Sequence, residues 1–237
     1  MNTSIATKNL LEVAEIFTKY KIEFWLDLGT LLGIIRNGDL IKWDSDVDLG
    51  MWYDTINRNE FHLAIQELRK KGFLVRIDNF KIALTKDDIP INILFSRIHG
   101  DKAWAMGSYN GSKLIKLLAQ IVSNEFRIYL PENCRMKWNL VVTMNKIMNL
   151  ISRSLREQIS KLFWTWWHLS GGKRIKRVVP KEYYTNLDSF EFKGKRFKIP
   201  SKTEKYLEYR YGKDWRKPKK EYKHWIEDGA IDKNGSF

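Results

Sequence analysis

The stretch from Phe24 to Gly50, FWLDLGTLLGIIRNGDLIKWDSDVDLG, restricts the fold more than any other part of this 237-residue chain. Asp44, Asp46 and Asp48 stand at alternate positions, the last two inside the apolar run Asp46-Val47-Asp48-Leu49. Alternate side chains of a strand leave the same face, so a short buried strand here crowds carboxylates together. Burying like charges side by side is expensive, and a cation is the usual remedy. Just upstream, Leu28-Gly29-Thr30 closes the apolar run Phe24 to Leu28 and opens a helix over Thr30 to Arg36. A glycine at a strand-to-helix turn lets the backbone approach a ligand, and the free amides at a helix start attract anionic oxygen. Glycine turn and paired aspartates together point to a divalent metal holding a phosphate, an arrangement that suits Mg²⁺. A lone D-x-D in a loop reads more simply as a solvated turn, but the apolar alternation and the Gly-Thr turn argue against that here. An EF-hand is excluded by spacing, because counting from Asp44 puts Leu49 at position six and Thr55 at position twelve.

The flanking pattern is that of a mixed α/β chain. Ser4 to Tyr20 is an amphipathic helix expected to pack across the sheet beneath the site. Strand one is Phe24 to Leu28 and strand two Asp46 to Trp52; Phe61 to Lys71 is a helix ended by Gly72. Strands are expected at Phe73 to Ile77, Phe80 to Leu84 and Ile89 to Phe95, an edge strand at Trp104 to Tyr109, and a short helix at Lys113 to Val122. Farther on, Phe192 to Ile199 reads as a hairpin turning at Lys193-Gly194-Lys195, and Thr203 to Tyr211 as a helix stopped by Gly212. Tyr211 and Trp215 are read as clamping the tail to the core, with stacking on a base or sugar as the other use of their rings.

Charge and cysteine content bound the setting. The net charge is +14, yet residues 1–136 hold 18 Lys+Arg against 17 Asp+Glu; the excess lies in 137–181, with 10 against 1, and in 193–223, with 13 against 4. The single cysteine, Cys134, cannot pair within the chain, which fits a reducing compartment. No charged-then-apolar leader opens the sequence and no apolar run is long enough to cross a bilayer, so a cytoplasmic protein is expected. Trp138 to Trp167 repeats apolar residues at helical spacing, including Val141, Met144, Ile147, Met148, Ile151, Leu155, Ile159, Leu162, Phe163 and Trp166, with Lys146, Arg153, Arg156 and Lys161 on the other face. The basic cluster Lys173 to Arg177 follows. Two readings stand side by side: a helix packed on the core with a solvated basic face, or an interfacial helix at the inner face of an anionic membrane.

Trp25, Gly29-Thr30-Leu31-Leu32-Gly33, Arg36, Gly38, Trp43-Asp44 and Asp46-Val47-Asp48-Leu49-Gly50 give this chain a resemblance to the LicD and fukutin family of phosphotransferases. The C-terminal part is similar in order: Phe192-Lys193-Gly194-Lys195, Phe197-Lys198-Ile199-Pro200, Tyr206-Leu207, Tyr211-Gly212-Lys213-Asp214-Trp215 and Pro218, leaving Ile115 to Tyr184 unmatched. Lys42 departs from the family, which commonly has proline there. The resemblance implies a nucleotidyltransferase-like α/β (α+β) fold, a mixed sheet with flanking helices. On it would sit a catalytic core over 1–112, a basic, Trp-rich helical segment over 113–181 and a hairpin-helix extension over 182–237. It implies transfer of a phospho-alcohol, phosphocholine- or phosphoribitol-like, from a CDP-linked donor to a sugar hydroxyl of a cell-surface glycan or lipid-linked glycan. By the same analogy Asp46 and Asp48 hold Mg²⁺ or Mn²⁺, Asp44 supports them, Gly29 and Thr30 receive phosphate through amide and hydroxyl, and Arg36 stabilises charge or braces Asp44.

The strand around Ile91-Asn92-Ile93 departs from that pattern, since Asn92 stands where the family has a third acidic residue. Asparagine can ligate through its carbonyl but cannot take a proton at neutral pH. Asp87, Asp88 and His99 flank the strand as replacement bases, although all three read more simply as turn residues. Phosphoryl transfer depends mainly on positioning and charge neutralisation, so Asn92 does not exclude catalysis. Two other functions remain in view: nucleotidyl transfer to RNA, protein or a small molecule, with nucleic acid the less expected substrate, and a non-catalytic membrane-associated binding subunit. A D-x-D glycosyltransferase leaves the Gly-Thr turn unexplained.

Overall fold

The computed structural model describes residues 1–122, 127–132, 143, 147 and 150–232. Cys134, and Trp138, Val141, Met144, Lys146 and Met148 of the expected helix, lie outside the described residues. Helix α1 (Thr3–Lys19) starts where the Asn2 side chain accepts from the Ser4 and Ile5 amides. It buries Ala6, Leu10, Val13, Ala14 and Phe17, the face its spacing dictates, and Asn9 Nδ2 anchors it to the Lys86 carbonyl at 3.0 Å.

The central layer is built from β1 (Trp25–Leu26), β2 (Val47–Trp52), β3 (Leu74–Ile77), β4 (Lys81–Lys86), β5 (Ile89–His99) and β7 (Arg127–Tyr129). Together with β9 (Asp188–Phe192) and β10 (Lys195–Ile199) they run in the order β7-β3-β4-β5-β2-β1-β10-β9. The β2–β5 and β1–β10 pairs are parallel and the other neighbours antiparallel, a mixed sheet. Helices α2 (Leu28–Asn37) and α3 (Arg58–Lys70) flank it. The hairpin β9–β10 turns through Lys193 and Gly194, both at positive φ, and lays β10 along β1. The C-terminal extension is therefore hydrogen-bonded into the same sheet as the aspartates. It continues through α6 (Glu182–Thr185) and, after the hairpin, α7 (Thr203–Tyr211).

Three expectations need correction. Strand β5 does not stop at Phe95 but runs on to His99, and its last residues pair with β6 (Lys102–Tyr109) across a turn at Gly100. Strand β6 is not an edge. Its other side pairs along its whole length with β8 (Lys173–Pro180), so the segment expected to be helical over 113–181 ends in a strand that contains the basic cluster. Between them in the chain lie α4 (Lys113–Val122) and α5 (Arg153–Leu169), packed on one another. On α5, Leu155, Leu162 and Trp166 are exposed, whereas Arg156 is buried with Nε donating to the Val122 carbonyl at 3.1 Å. The apolar spacing correctly signals a helix, and of the residues it marks Ile159 and Phe163 are half-buried while Leu155, Leu162 and Trp166 meet solvent.

Candidate active site

The Gly29 turn is held from below. Asp27 caps α2 by accepting from the Leu28 amide at 2.8 Å, so the helix begins two residues before Thr30. Leu28 takes a left-handed φ of 48°, a strained conformation that its buried surroundings must enforce. Asp27 is itself buried. Tyr184 Oη donates to it at 3.1 Å, Tyr206 Oη donates to its other oxygen, and the Arg210 guanidinium lies 3.9 Å away. Residues from the last quarter of the chain thus brace the first turn of the site. A Cβ on Gly29 would overlap Asp44 Oδ2, so that glycine is required for the carboxylate to pack against the turn. The Thr30 hydroxyl is buried and accepts from the Asp48 amide at 2.8 Å. It ties α2 to β2 from behind, and of this pair only Gly29 lines the cleft.

The aspartates meet at Asn92. Parallel pairing sets Asp48 beside Asn92, and the Asn92 amide donates to Asp46 Oδ2 at 2.7 Å and toward Asp48 Oδ1 at 3.4 Å. Behind it Lys81 Nζ donates to Asn92 Oδ1 at 2.8 Å. Because an ammonium only donates, this contact fixes which end of the amide faces the carboxylates. Burial, then Asp46 and Asp44, push the Asp48 carboxyl well above the ordinary range, with Lys81 and Arg177 offsetting part of the rise. Burial and Asp46 also raise Asp44, whose Oδ1 accepts from the Ser45 amide at 2.9 Å. Burial lowers the pKa of Lys81.

These residues form the floor of a cleft of about 730 Å³. Arg36 lines it, held by Asn37 Oδ1 at 2.9 Å and the Trp215 carbonyl at 3.5 Å, while its buried Nη2 has no hydrogen-bond partner. No ion pair joins Arg36 to Asp44 among the described residues, so Arg36 is free to meet a ligand rather than braced on that carboxylate. Asp87, Asp88 and His99 do not line the cleft; the two aspartates occupy the positive-φ turn between β4 and β5. Tyr211 and Trp215 do, and Trp215 is also part of the buried core, so it both clamps the tail and faces the cleft.

The sequence reading missed several groups in the cleft wall: Lys81, Lys116, Trp164, Arg174, Arg177 and His224. Lys116 bonds Ser108 Oγ, and burial together with Lys81, Arg76 and Arg174 lowers its pKa to about 8. Arg174 lies over the Trp164 ring at 4.5 Å, and Arg177 is paired with Asp228 at 3.1 Å. His224 stands at the mouth beside Trp225; partial burial and Arg177 hold its pKa below the ordinary value, leaving a neutral imidazole at pH 7. The basic runs and the one cationic alternation at Lys173 to Arg177 were the available signals. Nothing local tied them to the aspartates.

Whether this site fits a metal can be judged from its donors. Among the described residues no group of three or more His, Cys, Asp or Glu side chains is arranged to hold an ion unaided. Asp46 and Asp48, however, converge on one amide, and burial, then Asp46 and Asp44, raise the Asp48 carboxyl. Two hard carboxylates, with the remaining positions left to phosphate oxygen and water, fit Mg²⁺ or Mn²⁺.

A mixed sheet that brings a glycine turn against paired aspartates defines a nucleotidyltransferase-like α+β protein. Residues 21–133 match the family model described as LicD/FKTN/FKRP, nucleotidyltransferase domain. The chain is 46% identical to the human "Ribitol 5-phosphate transferase FKRP" over 39 residues, 16% of this chain and 8% of that protein. It is 30% identical over 109 residues to the human "Ribitol-5-phosphate transferase FKTN", 44% of this chain and 23% of that protein. It is 24% identical over 247 residues to the "Lipopolysaccharide cholinephosphotransferase LicD" of Haemophilus influenzae, 90% of each. The aligned part therefore spans under a quarter of the two ribitol-phosphate transferases and most of the bacterial relative. These matches make residues 21–133 similar to a LicD/FKTN/FKRP nucleotidyltransferase domain, and the likeness to the bacterial relative extends over 90% of the chain.

Proposed function

We propose that this chain is a metal-dependent phosphotransferase that moves a phospho-alcohol, phosphocholine- or phosphoribitol-like, from a CDP-linked donor to a sugar hydroxyl of a cell-surface glycan. The observation that carries the reading is the convergence of Asp46, Asp48 and Asn92 on the floor of a cleft whose walls bear Arg36, Lys81, Lys116 and Arg174. That arrangement suits a diphosphate, with the carboxylates facing a cation and the side-chain cations facing phosphate oxygen. A Mg²⁺ or Mn²⁺ ion on Asp46 and Asp48 would offset charge on the departing nucleotide.

The chain's own residues would do the rest. Gly29 lets the Asp44 carboxylate pack against the start of α2, and the unpartnered Arg36 Nη2 meets an anionic oxygen. The acceptor oxygen bonds to the phosphorus bearing the alcohol, the bond from that phosphorus to the CMP oxygen breaks, and CMP departs. Asn92 takes no proton, so it positions the carboxylates, and neutral His224 is the cleft residue suited to accept the hydroxyl proton. Incubation with CDP-alcohols and Mg²⁺ should release CMP; release of pyrophosphate from a nucleoside triphosphate would instead support nucleotidyl transfer. Lys217, Lys219 and Lys220 on the cleft rim are the feature that second reading would use for a longer polyanionic substrate.

A further inference from the structure

Helix α5 carries large apolar side chains on both of its sides. Inward it buries Trp167 and half-buries Ile159, Phe163 and Trp164, while Arg156 Nε donates to the Val122 carbonyl at 3.1 Å and Ser160 Oγ to the Ala119 carbonyl at 3.3 Å. Outward, beside exposed Gln158, Lys161 and Thr165, it presents a stripe of Leu155 at 48% exposure, Leu162 at 58%, Trp166 at 54% and Leu169 at 79%. Spacings of seven, four and three residues keep these side chains on one face. At the Leu169 end the Ser112 amide bonds Ser170 Oγ, and the exposed Leu114 of α4 extends the ridge. Exposed Lys113 and Lys161 adjoin Leu114 and Leu162 in the chain, and exposed Lys173 follows the end of α5.

Contiguous apolar surface of this kind marks an interaction site. We propose that this face docks the protein onto an anionic lipid surface. The chemistry favours lipid over a second copy, since two chains of net charge +14 would bring like-charged rims together, whereas anionic headgroups complement them. Tryptophan at the headgroup level with leucine beneath it is the side-chain distribution of an interfacial helix. Among the described residues no helix is long and apolar enough to cross a membrane, so the contact is with the surface. Trp164, on the side of α5 away from this stripe, lines the cleft, so docking through the stripe would hold the cleft at a fixed distance from the lipid. An acceptor glycan carried on a lipid would suit that placement, an expectation that rests on the proposed transferase activity; the docking surface does not.

The test is flotation of the full chain with vesicles of phosphatidylcholine alone and of phosphatidylcholine mixed with phosphatidylglycerol. The protein should float with the mixed vesicles, and less so as salt rises. The double variant Leu162→Glu, Trp166→Glu should lose at least about tenfold in partitioning, while Leu63→Glu, an exposed leucine on α3, should not. Circular dichroism should show both variants folded. Absence of flotation, or equal flotation of the double variant, overturns the proposal, as does a concentration-dependent dimer that the double variant abolishes, which would assign the face to a second copy. Asp46→Ala should float like the wild type, so loss of turnover and loss of docking are read separately.

Discussion

At the scale of single residues, the floor of the cleft is a charge problem that the side chains solve only in part. Asp48 is held above its ordinary pKa, so the native state binds its proton more tightly than the unfolded chain does. Stability should therefore fall as pH rises from the unfolded carboxylate pKa to the folded one, and the cost persists above that. Asp48→Asn removes it: without metal the variant should gain about 1 kcal/mol, or about 2–4 °C in Tm, and lose stabilisation by added Mg²⁺, both read by thermal melts. Alanine at Asp46 or at Asp48 should abolish Mg²⁺-dependent turnover with the fold intact, and activity retained in both would defeat the assignment. Lys116 poses the complementary case. With its pKa lowered from 10.5 to about 8, the unfolded chain binds more protons between those values, so stability should rise with pH across that window. Lysine-selective NMR should find it titrating near 8 and moving upward when a diphosphate binds; an unshifted titration would remove Lys116 from the anion site. Gly29→Ala must displace Asp44, and on the order of 10²-fold loss in kcat is expected with little change in melting, as checked by paired kinetics and calorimetry. The aspartates and Gly29 were legible in the sequence because they lie within or beside one strand, whereas Asn92, on the neighbouring strand, stood out only through the family resemblance. The Thr30 hydroxyl was legible as a residue but not as a brace, since its partner amide is 18 positions away.

At the scale of elements, the start of α2 shows how a helix end can depend on distant chain. Asp27 directly before an apolar run is an N-cap signal, yet the sequence reading began the helix at Thr30 because Leu28 and Gly29 resemble a strand end and a turn. What moves the boundary is the Tyr184, Tyr206 and Arg210 cluster around the Asp27 carboxylate. Tyr206→Phe removes one donor to that buried carboxylate and should cost about 1–3 kcal/mol in urea unfolding; an unchanged midpoint would show that the cluster does not hold the turn. Strand β8 makes a related point. Lys173 to Arg177 looks like a solvated basic run, but pairing with β6 supplies its backbone partners and lets Ile175 and Val179 face inward. Helix α5 is a helix over its described part, as its spacing implies, and the sequence leaves open which of its apolar residues meet solvent.

At the scale of the whole molecule, the C-terminal extension is part of the machinery rather than an appendage, because β10 lies along β1 and α7 carries Arg210 under the site. Arg210 is buried between Asp27 and Asp228, and it also donates to Tyr206 Oη at 2.8 Å. Burial alone would raise the Asp228 pKa, but Arg210 and Arg177 outweigh it and hold the carboxyl below its usual value. That contribution to stability is present above the unfolded carboxylate pKa and disappears as pH falls through the folded one. Arg210→Ala takes the shared cation from two buried carboxylates, leaving Asp27 its tyrosines and Asp228 its Arg177, and should cost about 3 kcal/mol by denaturant unfolding; a loss within error would mean that the tail is not integral to the fold.

The sequence by itself determined the helices and strands of the first hundred residues, the glycine turn with its aspartates and the C-terminal hairpin, because each is written in short-range periodicity and turn chemistry. It also carried the likeness to LicD and fukutin proteins, in motifs that keep their order along the chain. Only the tertiary structure decided which cations face the aspartates, that β6 is flanked on both sides, and that α5 turns leucine and tryptophan to solvent. Periodicity reports that a helix has an apolar face, but which neighbour or solvent that face meets depends on contacts between residues far apart in the chain.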